Sequence, residues 1–314
     1  MKKNSYQKDL DAQVDKIFRE ANSGSFKTRE KYHDACHRFT EFLSEEFKLR
    51  KFSNISDKHI TAFVSCLRDH NVCDNTIRSY LSGVRFCHNH CDRTRNVLSS
   101  NRELGINLQS RTRNKNRAWT ENEYRKALKC AEKHPDIRHA LVLCRELGLR
   151  IEEAINVKLF QITPGMDHID VKGKGGLVRT IPLDSRQMQI LQDLKAFGLK
   201  NGKRPSDKII PRQDTKGSVA KQKSRIENWV ANHRADFSDR TGDKYTELVE
   251  YSIINGLKTP VSTITVHGLR HSFAQDRLEK LTSELKDERV SKIAVSNMLG
   301  HNRIEITNLY TAAR

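Results

Sequence analysis

From Leu10 to Cys91 apolar side chains recur every three or four positions, the period that lines one face of an α-helix. Leu10, Val14, Ile17 and Phe18 form one stripe, and Tyr32, Ala35, Cys36, Phe39, Phe42 and Leu43 a second. Ile60, Phe63, Val64 and Leu67 form a third; Ile77, Leu81 and Val84, extended by Cys87 and Cys91, form a fourth. Four such stripes predict a small helical bundle around one core. Arg78, Ser82 and Arg85 lie off the fourth stripe, so that helix is expected to show one buried and one basic face.

Between Asp92 and Trp119 the period stops. The stretch RTRNVLSSNRELGINLQSRTRNKNR sets Arg93, Arg95, Arg102, Arg111, Arg113, Lys115 and Arg117 against a single acid, Glu103. With so little apolar content it predicts a mobile basic linker that lies along phosphates when DNA is present. The chain is thereby divided into a domain over 1–92, a linker over 93–117 and a second domain over 118–314.

The second domain opens with a helix capped by Thr120, with Glu121 and Glu123 in its first turn. Ile137, Ala140, Leu141, Cys144 and Leu147 predict a buried helix that Gly148 can end, and Arg150 starts the next one, RIEEAINV. His168 to Leu183, HIDVKGKGGLVRTIPL, alternates apolar and polar residues on both sides of a glycine-rich turn, which predicts a β-hairpin. Lys174 sits in that turn and Lys172 just before it. Residues 200–262 carry little pattern beyond a helix from Val219 to Phe237 with Lys221, Lys223, Arg225 and Arg234 on it; Tyr245 and Tyr251 follow. The last fifth reads TITVHGLRHSFAQDRL. Thr265 caps a helix there, His267 and Arg270 share a face near its N-terminus, and Leu269 and Phe273 point the other way. A helix from Val290 to Leu299 ends at Gly300, His301 falls in the turn, and a short helix with Ile304 and Leu309 carries Tyr310.

Charge narrows the partner. The chain has 314 residues, a net charge of +18 and a pI of about 9.7, which calls for a polyanion, nucleic acid ahead of an anionic membrane. MKKNSYQKDL lacks the apolar run of a signal peptide, and no stretch approaches a membrane span, so a cytoplasmic protein is expected, on the nucleoid in a prokaryote. Seven irregularly spaced cysteines argue against a disulfide framework. Cys87 and Cys91, with His88 and His90, make at most half a zinc site, and no metal or other cofactor is assigned.

HGLRHSFA, then LGH, then a tyrosine nine residues after that histidine together resemble the C-terminal signature of the tyrosine recombinases, the integrases of phages and mobile elements; GLRIEEAINV resembles their first arginine box. The resemblance covers Arg150 to Tyr310, apart from 200–262. It implies a mainly α protein with a small antiparallel β-sheet, made of an N-terminal helical core-binding domain of the SAM-like kind and a mixed α/β catalytic domain. It also implies DNA cut and rejoined through a 3′-phosphotyrosyl link, without metal or ATP.

The implied catalytic set is Tyr310 as nucleophile, with Arg150, Lys174, His267, Arg270 and His301. A phenol of pKa about 10 is ionised once in about a thousand molecules at pH 7, a deficit of about 4 kcal/mol, so a base must take its proton. His267 is the candidate. The planar forks of Arg150 and Arg270 suit the non-bridging phosphate oxygens, and His301 adds a hydrogen bond. Lys174, chosen over Lys172 by the resemblance, is expected to protonate the leaving 5′ oxygen. Arg78, Arg85, Arg111, Arg113, Lys115 and Arg117 are the expected DNA contacts. The implied partners are paired double-stranded DNA sites, a homo-tetramer on DNA that is monomeric when free, and accessory DNA-bending or directionality proteins. Only Thr311, Ala312, Ala313 and Arg314 follow Tyr310, so the subunits are expected to join by some surface other than a long C-terminal tail. A type IB topoisomerase and an inactive DNA-binding regulator of the same fold are the alternatives.

Overall fold

A computed structural model describes residues 3–92, 97–107, 116–173, 176–210, 218–240, 244–249, 257–262, 264–301 and 304–311. The chain divides into two units, 1–111 with 246–260 and 112–245 with 261–314.

Each N-terminal stripe becomes a helix: α1 (Ser5–Glu20), α2 (Phe26–Glu46), α3 (Asp57–Asp69) and α4 (Asp74–Asn89). Asn4 and Ser25 cap the first two by accepting from the Gln7 and Thr28 backbone N–H groups. The stripes meet in one core. Leu10, Val14, Phe39, Leu43, Phe63, Leu67, Ile77, Leu81 and Cys87 are buried there, with the Phe39 and Phe63 rings 4.8 Å apart.

The expectation of a mobile linker from 93 onward needs correction over 97–107. Ile106 is buried in the helical core, and Leu98 and Leu104 pack against it. Asp57 accepts from the Ser99 N–H at 2.7 Å and Asp74 from the Asn107 N–H at 2.9 Å. Three apolar side chains with no regular period suffice to dock the segment once two carboxylates satisfy its backbone. Arg93, Arg95, Arg111, Arg113 and Lys115 lie outside the described residues.

In the second unit α5 (Glu121–Cys130) starts from a reciprocal cap between Thr120 and Glu123. There follow α6 (Pro135–Glu146), α7 (Ile151–Asn156), the hairpin strands β1 (His168–Lys172) and β2 (Val178–Pro182), α8 (Ser185–Lys200) and α9 (Val219–Phe237). The hairpin is antiparallel, with His168 opposite Pro182 and Lys172 opposite Val178. No expectation covered α8, whose start at Asp184 is capped reciprocally by Gln187. A second two-stranded sheet, β3 (Lys244–Val249) and β4 (Leu257–Ser262), occupies part of the stretch that carried little pattern, and most of it falls in the 246–260 segment grouped with the first unit.

The last three helices, α10 (Val266–Leu285), α11 (Glu288–Leu299) and α12 (Ile304–Thr311), close the unit. Every residue of α10 from Gly268 to Gln275 is buried, because α6, α11 and α12 all pack on it. The face expected to carry Arg270 is thus no more open than the one expected to carry Leu269: both side chains are fully buried.

Candidate active site

Three arginines from three segments converge on one carboxylate. Glu153, in the first turn of α7, accepts from the Arg150 backbone N–H at 2.9 Å and from Arg150 Nη1 at 2.8 Å. Its two oxygens also take Arg179 Nη1 at 2.9 Å and Nη2 at 2.7 Å, a bidentate pair brought by β2. Arg270 Nη1 approaches Glu153 to 3.7 Å. Burial alone would raise the Glu153 pKa; the hydrogen bonds and charge of Arg179, then the contacts from Arg150, hold it at about 2. A permanent anion thus fixes a cluster of permanent cations. A buried carboxylate with such neighbours is stable only because every lone pair is used.

Arg270 is fully buried. Its Nη1 donates to the Gly148 carbonyl at 2.6 Å, and its Nη2 donates to the Leu299 carbonyl and lies 3.3 Å from His301 Nε2. Burial, then the nearby charge of Arg150, lowers its pKa to about 10, so it stays charged at neutral pH. Its Nε is buried with no hydrogen-bond partner, the kind of donor that an anionic oxygen satisfies. Arg150 is more open, its side chain 35% exposed.

Tyr310 stands at the mouth of this cluster. Its hydroxyl lies 2.9 Å from His267 Nε2, its ring stacks on His271 at 4.2 Å, and the Arg270 guanidinium sits 5.8 Å from the ring centroid. Gln275 anchors the backbone of α12 by donating to the Tyr310 carbonyl at 3.2 Å. His267 keeps an edge open to solvent. Even so, crowding by protein atoms, then the charges of Arg270, Arg150 and Arg117, lowers its pKa to about 4. The imidazole is neutral at pH 7 and able to accept the phenolic proton.

His301, in the turn after α11, is buried, and burial followed by Arg270 lowers its pKa to about 4 as well. With Arg270 donating toward Nε2, the other nitrogen, Nδ1, carries the proton and donates to Thr307 Oγ1 at 3.0 Å.

The start of α10 is set by a close approach. A methyl added at Gly268 would run into the Arg117 carbonyl and the Trp119 ring, so only glycine lets this segment cross the helix. Trp119 Nε1 donates to the Thr265 carbonyl at 2.9 Å, and Trp119 N–H donates to Ser272 Oγ at 2.8 Å. This packing brings Arg117 close enough for its charge to act on His267 and His271.

Of the expected catalytic residues, the structure brings Arg150, His267, Arg270, His301 and Tyr310 into one pocket. Lys174 lies outside the described residues. The expected DNA contacts divide. Arg117 lies near enough to His267 and His271 for its charge to act on both, and Arg78 is half-buried on α4. Arg85 departs from the basic face expected of it: it donates to Asn101 Oδ1 at 2.8 Å and to the Ser99 carbonyl at 2.5 Å, so it clamps the 97–107 segment to α4. Glu153, Arg179 and His271 were not singled out from sequence, although Glu153 and Arg179 stand inside the quoted RIEEAINV and GGLVRTIPL stretches and His271 directly follows Arg270.

Residues 117–314 match the model of the phage integrase family, and residues 8–97 match that of the phage integrase N-terminal region. Among known proteins, the chain is 25% identical over 293 residues to tyrosine recombinase XerD of Oceanobacillus iheyensis, covering 91% of this chain and 88% of that one. It is 26% identical over 298 residues to tyrosine recombinase XerC of Natranaerobius thermophilus, with the same two coverages. Among solved structures, the fold is similar to a lambda integrase tetramer bound to a Holliday junction, with a TM-score of 0.60 and 16% identity over 96% of this chain and 77% of that one. It is equally similar to the XerH site-specific recombinase in a post-cleavage complex with difH DNA, with a TM-score of 0.60 and 18% identity over 96% and 81% of the two chains.

Proposed function

Since this chain belongs to the phage integrase family and is a site-specific tyrosine recombinase, we propose that Tyr310 is the nucleophile and that the pocket around Arg270 holds the scissile phosphate. The observation that carries the assignment is the 2.9 Å separation of the Tyr310 hydroxyl from His267 Nε2, beside two guanidinium groups.

In the proposed step the Tyr310 oxygen attacks phosphorus, its proton passes to His267, and the bond to the 5′ oxygen breaks. Arg150 and Arg270 neutralise the charge that grows on the non-bridging oxygens. Lys174 supplies the proton to the departing 5′ oxygen, which leaves as a free hydroxyl. The product is a 3′-phosphotyrosyl link that keeps the phosphodiester energy, so attack by a 5′ hydroxyl of another strand reseals the DNA. Glu153 touches no reacting atom; it holds the arginines. A bound phosphate would offset the cationic field on His301 and favour a proton on Nε2, which turns that nitrogen from an acceptor toward Arg270 into a donor toward the phosphate.

We assign this chemistry to paired DNA sites acted on by a homo-tetramer, in the integration or excision of a mobile element. A double-stranded substrate nicked beside the cleavage position should trap the protein covalently. Tyr310→Phe should abolish the adduct while leaving DNA affinity within about twofold, since one hydroxyl is lost from a surface dominated by phosphate contacts. An adduct that survives in this variant would move the nucleophile to Tyr245 or Tyr251. Relaxation of a plasmid lacking any cognate site would favour topoisomerase over recombinase.

A further inference from the structure

In the N-terminal unit, α1 and α2 bring together three side chains that strand transfer does not use. Asp15 lies on α1; His33 and His37, one turn apart, lie on α2. Both Nε2 atoms sit 2.8 Å from the same Asp15 Oδ1 and 3.1 Å from each other. Protons can satisfy at most two edges of this triangle, because each Nε2–H points along only one of them. A single cation at the centre accepts all three lone pairs at once.

The surroundings match a metal site in a second respect. His37 Nδ1 lies 2.9 Å from Asp11 Oδ1, and the buried Asp11 is itself held by Lys3 Nζ at 2.7 Å and Thr40 Oγ1 at 2.5 Å. A carboxylate that takes the proton of one ring nitrogen turns the lone pair of the other outward, the arrangement that orients ligating histidines. A tetrahedral zinc ion with bonds of about 2.0–2.1 Å sets ligand–ligand edges of about 3.3 Å, so the triangle needs to widen by only a few tenths of an ångström. Access is open. A cleft of 620 Å³ lined by Ala12, Asp15, Phe18, Arg19 and His33 adjoins the site, with space for water as a fourth ligand.

We propose that Asp15, His33 and His37 form a binding site for a divalent transition-metal ion of the zinc class, which fastens α1 to α2. Two imidazoles and one carboxylate suit zinc and its neighbours better than calcium or magnesium, which prefer all-oxygen sites. The four-residue cluster at Cys87 to Cys91 is not the place: Cys87 and His88 are buried, while His90 is exposed and bonded to the Phe86 carbonyl. Among the described residues the Asp15, His33 and His37 group is the one whose ligand atoms converge.

The test is calorimetric titration of the chelator-stripped full chain with Zn2+, followed by titration with Co2+ read in the visible spectrum. One ion per chain with micromolar or tighter affinity, a tetrahedral Co2+ spectrum and a thermal midpoint raised by several degrees are expected. Asp15→Asn and His33→Gln, both at partly exposed positions and checked for helical content by circular dichroism, should each weaken binding at least about tenfold. Cys87→Ser should leave it unchanged. Absence of stoichiometric uptake by the unaltered protein, or uptake that persists undiminished in Asp15→Asn and His33→Gln, would overturn the proposal.

Discussion

His271 and His301 are held neutral by surroundings in which a positive charge has no favourable place. For His271 the causes are burial, then the neighbouring His267 on its own helix and Arg117 from the segment before α5; its ring stacks on Tyr310 of α12, and its pKa falls to about 3. For His301 burial comes first, then Arg270 from α10, Arg150 from the start of α7 and Arg179 from β2. Both imidazoles ionise near 6.5 in the unfolded chain, which therefore binds more protons than the native state between about pH 6.5 and 4. Their contribution to stability is complete above pH 6.5 and is lost as pH falls through that window. His37 in the other unit acts in the opposite sense, since Asp11 raises its pKa. Urea unfolding of the DNA-free protein, followed by the fluorescence of Trp119 and Trp229, reports on the catalytic unit, which contains both tryptophans. Its stability should fall steadily from pH 6.5 to 4.5. His271→Asn should flatten that slope by about one proton, ~1.4 kcal/mol per pH unit. An unchanged slope would mean that His271 is charged in the folded state. His267 and Arg270 were legible because their spacing is short and local. Glu153 was not, since beyond the local Arg150 its partners come from strand β2 and helix α10, and no local pattern announces such a meeting.

At the scale of elements, the pocket is made of helix ends. Arg150 stands at the N-terminus of α7, and Arg179 and Arg270 donate to Met298 and Leu299, carbonyls of the last turn of α11 that no helical N–H can reach. Cations at a helix C-terminus also meet its partial negative charge. Gly300 makes this possible by taking φ of +62° at the end of α11, and a methyl there would come within 2.8 Å of Arg179 Cδ. Gly300→Ala should therefore cost about 1–2 kcal/mol from the left-handed backbone alone. It should also push Arg179 off Glu153, and a misplaced arginine cluster should slow single-turnover cleavage of the nicked substrate by up to about a hundredfold. DNA affinity, measured beside it, should change far less. Loss of both in equal measure would mean that α11 positions the duplex rather than the reacting phosphate. The helices with strong periods, α1 to α4 and α6, could be read directly, and Gly300 marked an end. Helix α8 was missed although Asp184 and Gln187 form a capping box, because its buried face carries only Leu191 and Leu194 as large apolar side chains; the packing of 97–107 has no period to find.

For the molecule as a whole, charge was the clearest part of the sequence and the location of that charge the least clear. Many basic side chains are paired internally: Arg145 with Asp276, Arg225 with Asp136, Arg240 with Glu123 and Arg277 with Asp184. Arg85 lay on a face expected to be basic and Arg225 on a helix noted for its basic residues, yet both are tied to their own chain. A count of lysines and arginines thus overstates any single surface. The net charge of +18 nonetheless means that internal acids cannot neutralise all the cations, and the remainder must face solvent or DNA. Each phosphate neutralised releases condensed counterions, so the logarithm of affinity should fall linearly with the logarithm of salt concentration. If six to ten phosphates are engaged, affinity should drop by about 10³–10⁵ between 50 and 200 mM salt. Cleavage at saturating protein should be much less sensitive, because Arg150 and Arg270 are held by Glu153 and by backbone carbonyls rather than recruited from solution. Fluorescence anisotropy for binding and single-turnover adduct formation for cleavage separate the two. If salt slowed both to the same degree, the arginine cluster would be only one more patch of a basic surface; a steep binding slope with a nearly flat cleavage rate is what a pre-set phosphate clamp requires.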